Sequence, residues 1–147
     1  MGLITKNDIY LNLEVNTQKE TLYELARIAF EHGKVDDIDT FYEQLCLREE
    51  ESTTGFGRGI AIPHARHKCV KEGGVIVARL DHGVEWKSMD ESLVEVCICL
   101  IAPDDENDLH LKMLSKLARK LIYNDFTDML KNADESTIFS EINRVLE

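Results

Sequence analysis

The sequence lacks any apolar run long enough to cross a membrane. No uninterrupted apolar stretch approaches the ~20 residues that a membrane-spanning helix needs. The first residues, MGLITKNDIY, contain neither the basic nor the apolar region of a secretory signal. There is no internal repeat, low-complexity tract or Pro/Gly-rich linker, and 44% of the 147 residues are hydrophobic. We therefore expect one cytoplasmic domain, 1–147, with a hydrophobic core of its own.

Basic residues are scarce as well. The chain has 17 lysines and arginines against 28 aspartates and glutamates, which gives a formal net charge of −11. Proteins bind nucleic acids largely by placing lysine and arginine on phosphates, so this balance argues against a nucleic-acid partner. It is compatible with a basic protein partner, although acidity is mainly a property that favours solubility.

Cysteine pairs with metal or redox spacing are also missing. The four cysteines contain no C-x-x-C pair. Cys97 and Cys99 stand two residues apart in the apolar run VEVCICLI, which places both on one face of a strand. We expect reduced, buried cysteines, as is usual for a cytosolic protein.

The hydrophobic pattern alternates between helix and strand periods. The capping-box pair Thr17 and Glu20 precedes a helical stripe, and VEVCICLIAP is apolar enough for a strand covered on both faces. These patterns predict an α/β fold: a single domain with a mixed, mostly parallel β-sheet flanked by helices on both faces. The predicted helices are 18–32, 37–50, one along HLKMLSKLARKLI and one over 138–146, with a further turn or helix around Phe126, Met129 and Leu130. The predicted strands are 8–15, IAIP (60–63), 74–80 and 94–103, with a loop over 51–59.

The stretch GFGRGIAIPHARHKC contains the strongest candidate for a reactive or ligand-binding residue. Pro63 ends the short strand, so we expect His64 just past the strand end, at a sheet rim where α/β proteins bind ligands. Arg48 lies upstream, and a guanidinium matches phosphoryl oxygens bidentately. The alternative is a plain glycine-rich turn in which His64 has no chemical role. The loop before the strand has the hydroxyls and glycines of a phosphoryl-binding loop: Thr53, Thr54, Gly55 and Gly57.

The other histidines differ in how far the sequence supports a functional role for them. His110 opens the leucine-rich helix, and a helix N-terminus favours the neutral imidazole, which can donate one hydrogen bond to a phosphoryl oxygen or accept one, according to its tautomer. Taken alone, an ordinary helix N-terminal residue is the better interpretation of His110. His32, at a helix end, and His82, in a predicted turn, are expected to be solvated. Arg66, His67 and Lys68 stand beside His64, where these cations could strengthen phosphoryl binding, but a solvated turn is the favoured interpretation.

A metal site is an alternative for the same residues. His64, His67, Cys69 and, farther along, His110 offer the nitrogen and sulfur ligands that zinc accepts. The spacing is not a strong zinc pattern, and a phosphoryl site explains the glycines and Arg48 better. We therefore expect neither a metal nor another cofactor.

Two motifs resemble the type-2 enzyme IIA domains of the bacterial phosphotransferase system, the fructose/mannitol class. In the first, Glu49 precedes Phe56-Gly57, which is followed by Ile60-Ala61-Ile62-Pro63-His64 and the small Ala65. In the second, a strand ending in proline is followed by His110-Leu111, with leucines repeating at helical spacing. The resemblance covers essentially the whole chain.

The resemblance implies a phosphocarrier. His64 would accept a phosphoryl group from the phosphohistidine of the HPr protein and pass it to a cysteine or histidine of an enzyme IIB, which serves a membrane permease, IIC. His110 would stabilise the phosphoryl group and Arg48 would neutralise its charge. A regulatory IIA-like protein, in which phosphorylation of His64 controls partner proteins, remains the alternative.

Overall fold

The computed structural model describes residues 2–147, apart from the side chain of Asn107. One six-stranded sheet lies between two layers of helices. The strands are β1 (Ile9–Leu13), β2 (Gly55–Gly57), β3 (Ile60–Ala61), β4 (His64–His67), β5 (Gly74–Val84) and β6 (Val94–Pro103). The helices are α1 (Gln18–Glu31), α2 (Ile38–Glu51), α3 (Asn107–Lys120), α4 (Asn124–Asn132) and α5 (Glu135–Leu146).

The sheet is mixed, as predicted. Its strand order is β1-β5-β6-β3-β2, and β4 also pairs with β6. The pairs β1/β5, β3/β6 and β4/β6 are parallel, whereas β5/β6 and β2/β3 are antiparallel. β6 is therefore the central strand, and its uninterrupted apolar sequence reflects burial on both faces.

The two faces of β6 fill two separate cores. Cys97, Cys99 and Ile101 face α1 and α2, whereas Ile98 and Leu100 face α3, α4 and α5. This alternation follows from the two-residue period of a strand. Cys97 and Cys99 share one face and are fully buried free thiols, as predicted, and burial raises the pKa of Cys99 to about 12.

Local signals set the helix ends on the α1/α2 side. The Thr17 hydroxyl accepts a hydrogen bond from the Glu20 backbone (3.0 Å), which begins α1 where the capping box predicted it. The Glu20 carboxylate reaches back to the backbone of Asn16 (2.8 Å). Gly33, at a φ of +74°, ends the helix in the left-handed conformation that glycine favours. Asp37 caps α2 through the backbone of Thr40 (2.8 Å).

The chain from 60 to 67 corrects one prediction. Pro63 interrupts the strand, but pairing with β6 does not end there: β3 pairs with Val96 and Cys97, and β4 resumes at His64 opposite Leu100. The Pro63 carbonyl accepts a hydrogen bond from the Leu100 backbone (3.0 Å), so the proline removes a donor and leaves its acceptor in use. His64 is therefore buried inside the sheet and is only 6% exposed.

Three smaller predictions were also wrong. The segment 51–59 is not wholly a loop, because β2 forms an antiparallel hairpin with β3. His82 lies in β5 and not in a turn, although its side chain is exposed. His32 is half-buried, because Asp8 and Tyr10 bind its two ring nitrogens at 2.7 Å each.

Candidate functional site

His64 is held in one tautomer by its two hydrogen bonds. Its Nδ1 lies 2.8 Å from the carbonyl oxygen of Ile62, in the interruption between β3 and β4. A carbonyl oxygen can only accept, so Nδ1 carries the proton. Arg48 Nε donates to the other ring nitrogen, Nε2, at 3.0 Å. Nε2 is therefore the unprotonated, nucleophilic nitrogen.

Arg48 reaches His64 from the last turns of α2. Its Nη1 also donates to the carbonyl oxygen of Ser52 (2.8 Å), which fixes the guanidinium over the end of its own helix. One guanidinium therefore closes α2 and orients the imidazole. The structure brings together Arg48 and His64, as the sequence predicted, although 16 residues separate them.

His110 lies against His64 across the site. The ring centroids are 5.1 Å apart and the ring planes meet at 61°. The Nδ1 atom of His110 is buried without a hydrogen-bond partner. An unpartnered buried N–H is costly, so the arrangement favours the tautomer whose proton is on Nε2. A neutral ring of this kind can donate a hydrogen bond to an anion bound beside His64.

Both imidazoles are uncharged at neutral pH. Burial lowers the pKa of His64, with a smaller downward contribution from Arg48, while its bond to Ile62 acts in the opposite direction. Burial lowers the pKa of His110 to about 4; a second proton would be repelled by a protonated His64 and by the Arg66 and Arg48 guanidinium groups, which act in the same direction. A nucleophilic imidazole must be neutral, so burial beside a guanidinium keeps His64 competent.

A pocket of about 330 Å³ opens onto these groups. Its helical wall consists of Gln44, Leu47, Arg48 and Glu51, which share one face of α2 because they stand three and four residues apart. From β4 the pocket receives Arg66, which lies in a strand and not in the solvated turn that was the favoured prediction. A larger cleft of about 540 Å³, beside Cys46 and Trp86, contains no histidine. The nucleophile and its cations thus belong to the smaller pocket.

The predicted phosphoryl-binding loop does not line this pocket. The Thr54 backbone and hydroxyl donate to the Glu49 carboxylate at 2.8 and 2.6 Å. The Gly55 backbone donates to the Thr53 hydroxyl (3.0 Å). Gly57, at a φ of +116°, lies where a Cβ atom would come within 3.0 Å of the Asp90 carboxylate. These glycines and hydroxyls build the hairpin, so their donors serve the fold rather than an anion beside His64.

Glu49 explains why the motif begins with an acidic residue. Its two bonds to Thr54 link the end of α2 to the start of β2, and the Thr54 hydroxyl in turn accepts from Trp86 Nε1 (3.2 Å). Arg48, the residue before Glu49 in the helix, therefore has a fixed base from which to reach His64.

The alternative zinc set is not assembled. In the described part of the chain, no group of three or more His, Cys, Asp and Glu side chains is arranged to hold a metal ion. His67 Nδ1 accepts a hydrogen bond from the Cys69 backbone (3.0 Å), and burial raises the pKa of the Cys69 thiol to about 11. One nitrogen of His67 is thus already in use, and the described residues do not bring the four predicted ligands together as a metal site.

The arrangement suits a histidine that carries a phosphoryl group, and comparisons with known proteins agree. The family model described as "Phosphoenolpyruvate-dependent sugar phosphotransferase system, EIIA 2" matches residues 2–145. The chain is 34% identical over 146 residues to the PTS system fructose-like EIIA component of Escherichia coli K12, covering 99% of both chains. The chain belongs to this EIIA family, and it is a phosphotransferase component.

Two solved structures share the fold. Nitrogen regulatory protein IIA-Ntr from Neisseria meningitidis has a TM-score of 0.86 at 28% identity, over 99% of this chain and 97% of that one. IIA mannitol of Escherichia coli, in its complex with phosphorylated IIB mannitol, has a TM-score of 0.80 at 17% identity, over 95% of this chain and 96% of that one.

Among residues 2–147, no helix is both long and apolar enough to span a bilayer.

The two lowered histidine pKa values predict how stability depends on pH. Between about pH 6.5, where an unfolded histidine titrates, and the lower native values, the unfolded chain binds protons that the native chain does not. The free energy of unfolding should therefore fall as the pH is lowered from 6.5 towards 4.5. Urea titrations at several pH values measure this slope. His110→Gln should reduce it, whereas His82→Gln, at an exposed position on β5, should leave it unchanged. An unchanged slope in His110→Gln would contradict the lowered pKa of His110.

Proposed function

We propose that the chain is a cytoplasmic phosphocarrier in which His64 accepts a phosphoryl group from phospho-HPr and passes it to an enzyme IIB. The observation that carries the proposal is the state of His64: a neutral ring with Nδ1–H on the Ile62 carbonyl and an unprotonated Nε2 beside Arg48. Through IIB the chain would serve a membrane permease, IIC, to which it is peripheral. No metal or other cofactor takes part.

In the proposed step a phosphoryl group moves between two imidazoles. The N–P bond to the HPr histidine breaks, its electron pair returns to that nitrogen, and a new N–P bond forms at His64 Nε2. Nδ1 keeps its proton, and the Ile62 carbonyl stabilises the positive charge that the phosphorylated ring gains. Transfer of this kind depends on positioning and on charge stabilisation more than on further covalent chemistry.

Arg48 and His110 supply that stabilisation in the proposal. The Arg48 guanidinium exchanges its bond to Nε2 for bonds to the phosphoryl oxygens, since the lone pair it occupies becomes the new N–P bond. His110 donates a second hydrogen bond to the same oxygens and stays neutral. Thr53, Thr54, Gly55 and Gly57 contribute by shaping the hairpin that leads to His64.

A regulatory role is the second candidate, and one observation favours it. The fold matches IIA-Ntr of Neisseria meningitidis, a protein named for nitrogen regulation, with a TM-score of 0.86. In a protein of that kind His64 would still be phosphorylated, but its phosphorylation state would control partner proteins instead of feeding a IIB. The His64 pocket is compatible with both roles.

Phosphorus NMR with purified components tests the proposal. The chain, incubated with phosphoenolpyruvate, enzyme I and HPr, should give a phosphohistidine signal, and ¹⁵N labelling should show its coupling to Nε2. A panel of IIB proteins with their sugars is then added. Loss of the signal only when IIB and sugar are both present supports the carrier role. A stable signal with every IIB, together with phosphorylation-dependent capture of another protein, supports the regulatory role. No signal with a competent HPr contradicts both.

A further inference from the structure

A second arginine, Arg66, shares the face of β4 from which His64 enters the pocket. Side chains two residues apart on a strand point to the same side, about 7 Å apart along the chain. His64 is buried and Arg66 is exposed, but both line the pocket that also holds Arg48 and His110. Arg48 comes from α2, so the two guanidinium groups reach the pocket from different elements.

One hydrogen bond anchors the Arg66 guanidinium at the pocket mouth. Its Nη1 donates to the carbonyl oxygen of Asp104 (2.6 Å), in the loop between β6 and α3 that leads to His110. A guanidinium has five N–H donors, and this bond uses one of them. Within residues 2–147, leaving aside the Asn107 side chain, no carboxylate lies within ion-pair distance of Arg66. Its charge is thus not neutralised by a local partner.

The electrostatics of His110 show that this charge acts on the site. Among the groups that lower the pKa of His110, Arg66 contributes more than Arg48. The bond to Asp104 ties the Arg66 guanidinium to the loop that leads into α3 and His110. Two cations therefore flank the pair of neutral imidazoles.

The charge of a phosphoryl group requires more than Arg48 alone. A protein-bound phosphoryl group carries about −1.5 to −2 charges at neutral pH. Arg48 supplies one positive charge, the phosphorylated His64 ring gains a second, His110 stays neutral, and Glu51 adds a negative charge to the pocket wall, so one positive charge in all is left against the phosphoryl group. We propose that Arg66 is a second phosphoryl-binding cation, which contacts the oxygens of the phosphoryl group on His64 from β4 while Arg48 contacts them from α2. This inference rests on the proposed function.

The test compares Arg66→Gln with Lys68→Gln. Lys68 is an exposed cation two residues farther along, outside the pocket, so both variants lose the same charge. Phosphorus NMR gives two quantities: the equilibrium of the phosphoryl group between HPr and the chain, and the pH titration of the phosphoryl signal. Arg66→Gln should shift the equilibrium about fivefold to tenfold towards HPr, as for loss of one charge-assisted hydrogen bond. It should also raise the pKa of the phosphoryl group, because the dianion loses a cation, and Arg66→Lys should restore part of both effects.

The outcomes separate this inference from the proposed function. The inference on Arg66 is supported if Arg66→Gln shifts the phosphoryl equilibrium and the phosphoryl pKa while Lys68→Gln keeps the wild-type values. Equal changes of these two quantities in both variants would mean that only the net charge of the chain matters, and they would overturn the inference on Arg66. A wild-type equilibrium and phosphoryl pKa in Arg66→Gln overturn it while leaving the carrier role of His64 in place. A wild-type chain that accepts no phosphoryl group overturns both. Thermal unfolding of each variant confirms that the fold is retained, as expected for exposed positions.

Discussion

His64→Ala should abolish acceptance of a phosphoryl group from phospho-HPr. The variant loses Nε2, the unprotonated nitrogen that faces Arg48, and no other group in the pocket is a comparable nucleophile: Arg48 and Arg66 are charged, and the buried Nδ1 of His110 is unpartnered and shielded. A transfer that proceeds through a covalent intermediate stops when the bonded atom is removed. We expect a loss of at least about 1,000-fold, set by the background of uncatalysed transfer.

The matched variant His64→Gln keeps a side chain of similar reach that can accept from Arg48 but cannot form the N–P bond. It controls for the cavity and the unpaired Ile62 carbonyl that His64→Ala leaves in a buried position. Incubation with radiolabelled phosphoenolpyruvate, enzyme I and HPr measures incorporation. Both variants should remain unlabelled while their melting curves show a folded protein. Wild-type labelling of a folded His64→Gln chain would remove His64 from the mechanism.

The residues at the centre of the candidate site were indicated by local chemistry together with the resemblance to type-2 enzyme IIA domains. A histidine directly after a proline, an arginine near the end of an amphipathic helix and a histidine at the start of another are visible in the chain itself. The layered α/β fold was equally predictable, because β6 is apolar on both faces and the helices are apolar on one. The fold features follow from residue type and period, whereas the roles predicted for His64, His110 and Arg48 rest on the family resemblance as well.

The position of Arg66 and the role of the glycine-rich hairpin depend on contacts between distant segments. Pairing of β4 with β6 turns a predicted solvated turn into a strand and brings Arg66 to the pocket. Asp90, more than 30 residues downstream, binds the backbone of Arg58 (2.9 Å) and holds the hairpin that was predicted to bind a phosphoryl group. A single sequence contains no local signal for such pairings. The alternation of side chains on a strand would have linked Arg66 to His64 only once β4 was known to be a strand.

Arg48→Gln should lower the rate of phosphoryl acceptance by about 100-fold to 1,000-fold, in the range found when a charge-stabilising donor is removed from a transfer site. The change removes the donor to Nε2, the bond to the Ser52 carbonyl and one of the positive charges in the pocket. Arg48→Lys keeps the charge but not the planar geometry that serves Nε2 and Ser52 together, so it should recover only part of the rate.

The pH dependence of acceptance distinguishes this role from a general loss of structure. Arg48 helps to lower the pKa of His64, so its removal should raise that pKa, and acceptance should then decline at a higher pH as the solution is acidified. Rapid-quench measurements of labelling from pH 5 to 8 give both the rate and this profile. Arg119→Gln, at an exposed position on α3, is the control and should match the wild-type protein in both. A pH profile that does not move in Arg48→Gln would show that the guanidinium does not act on the His64 imidazole, whatever the change in rate.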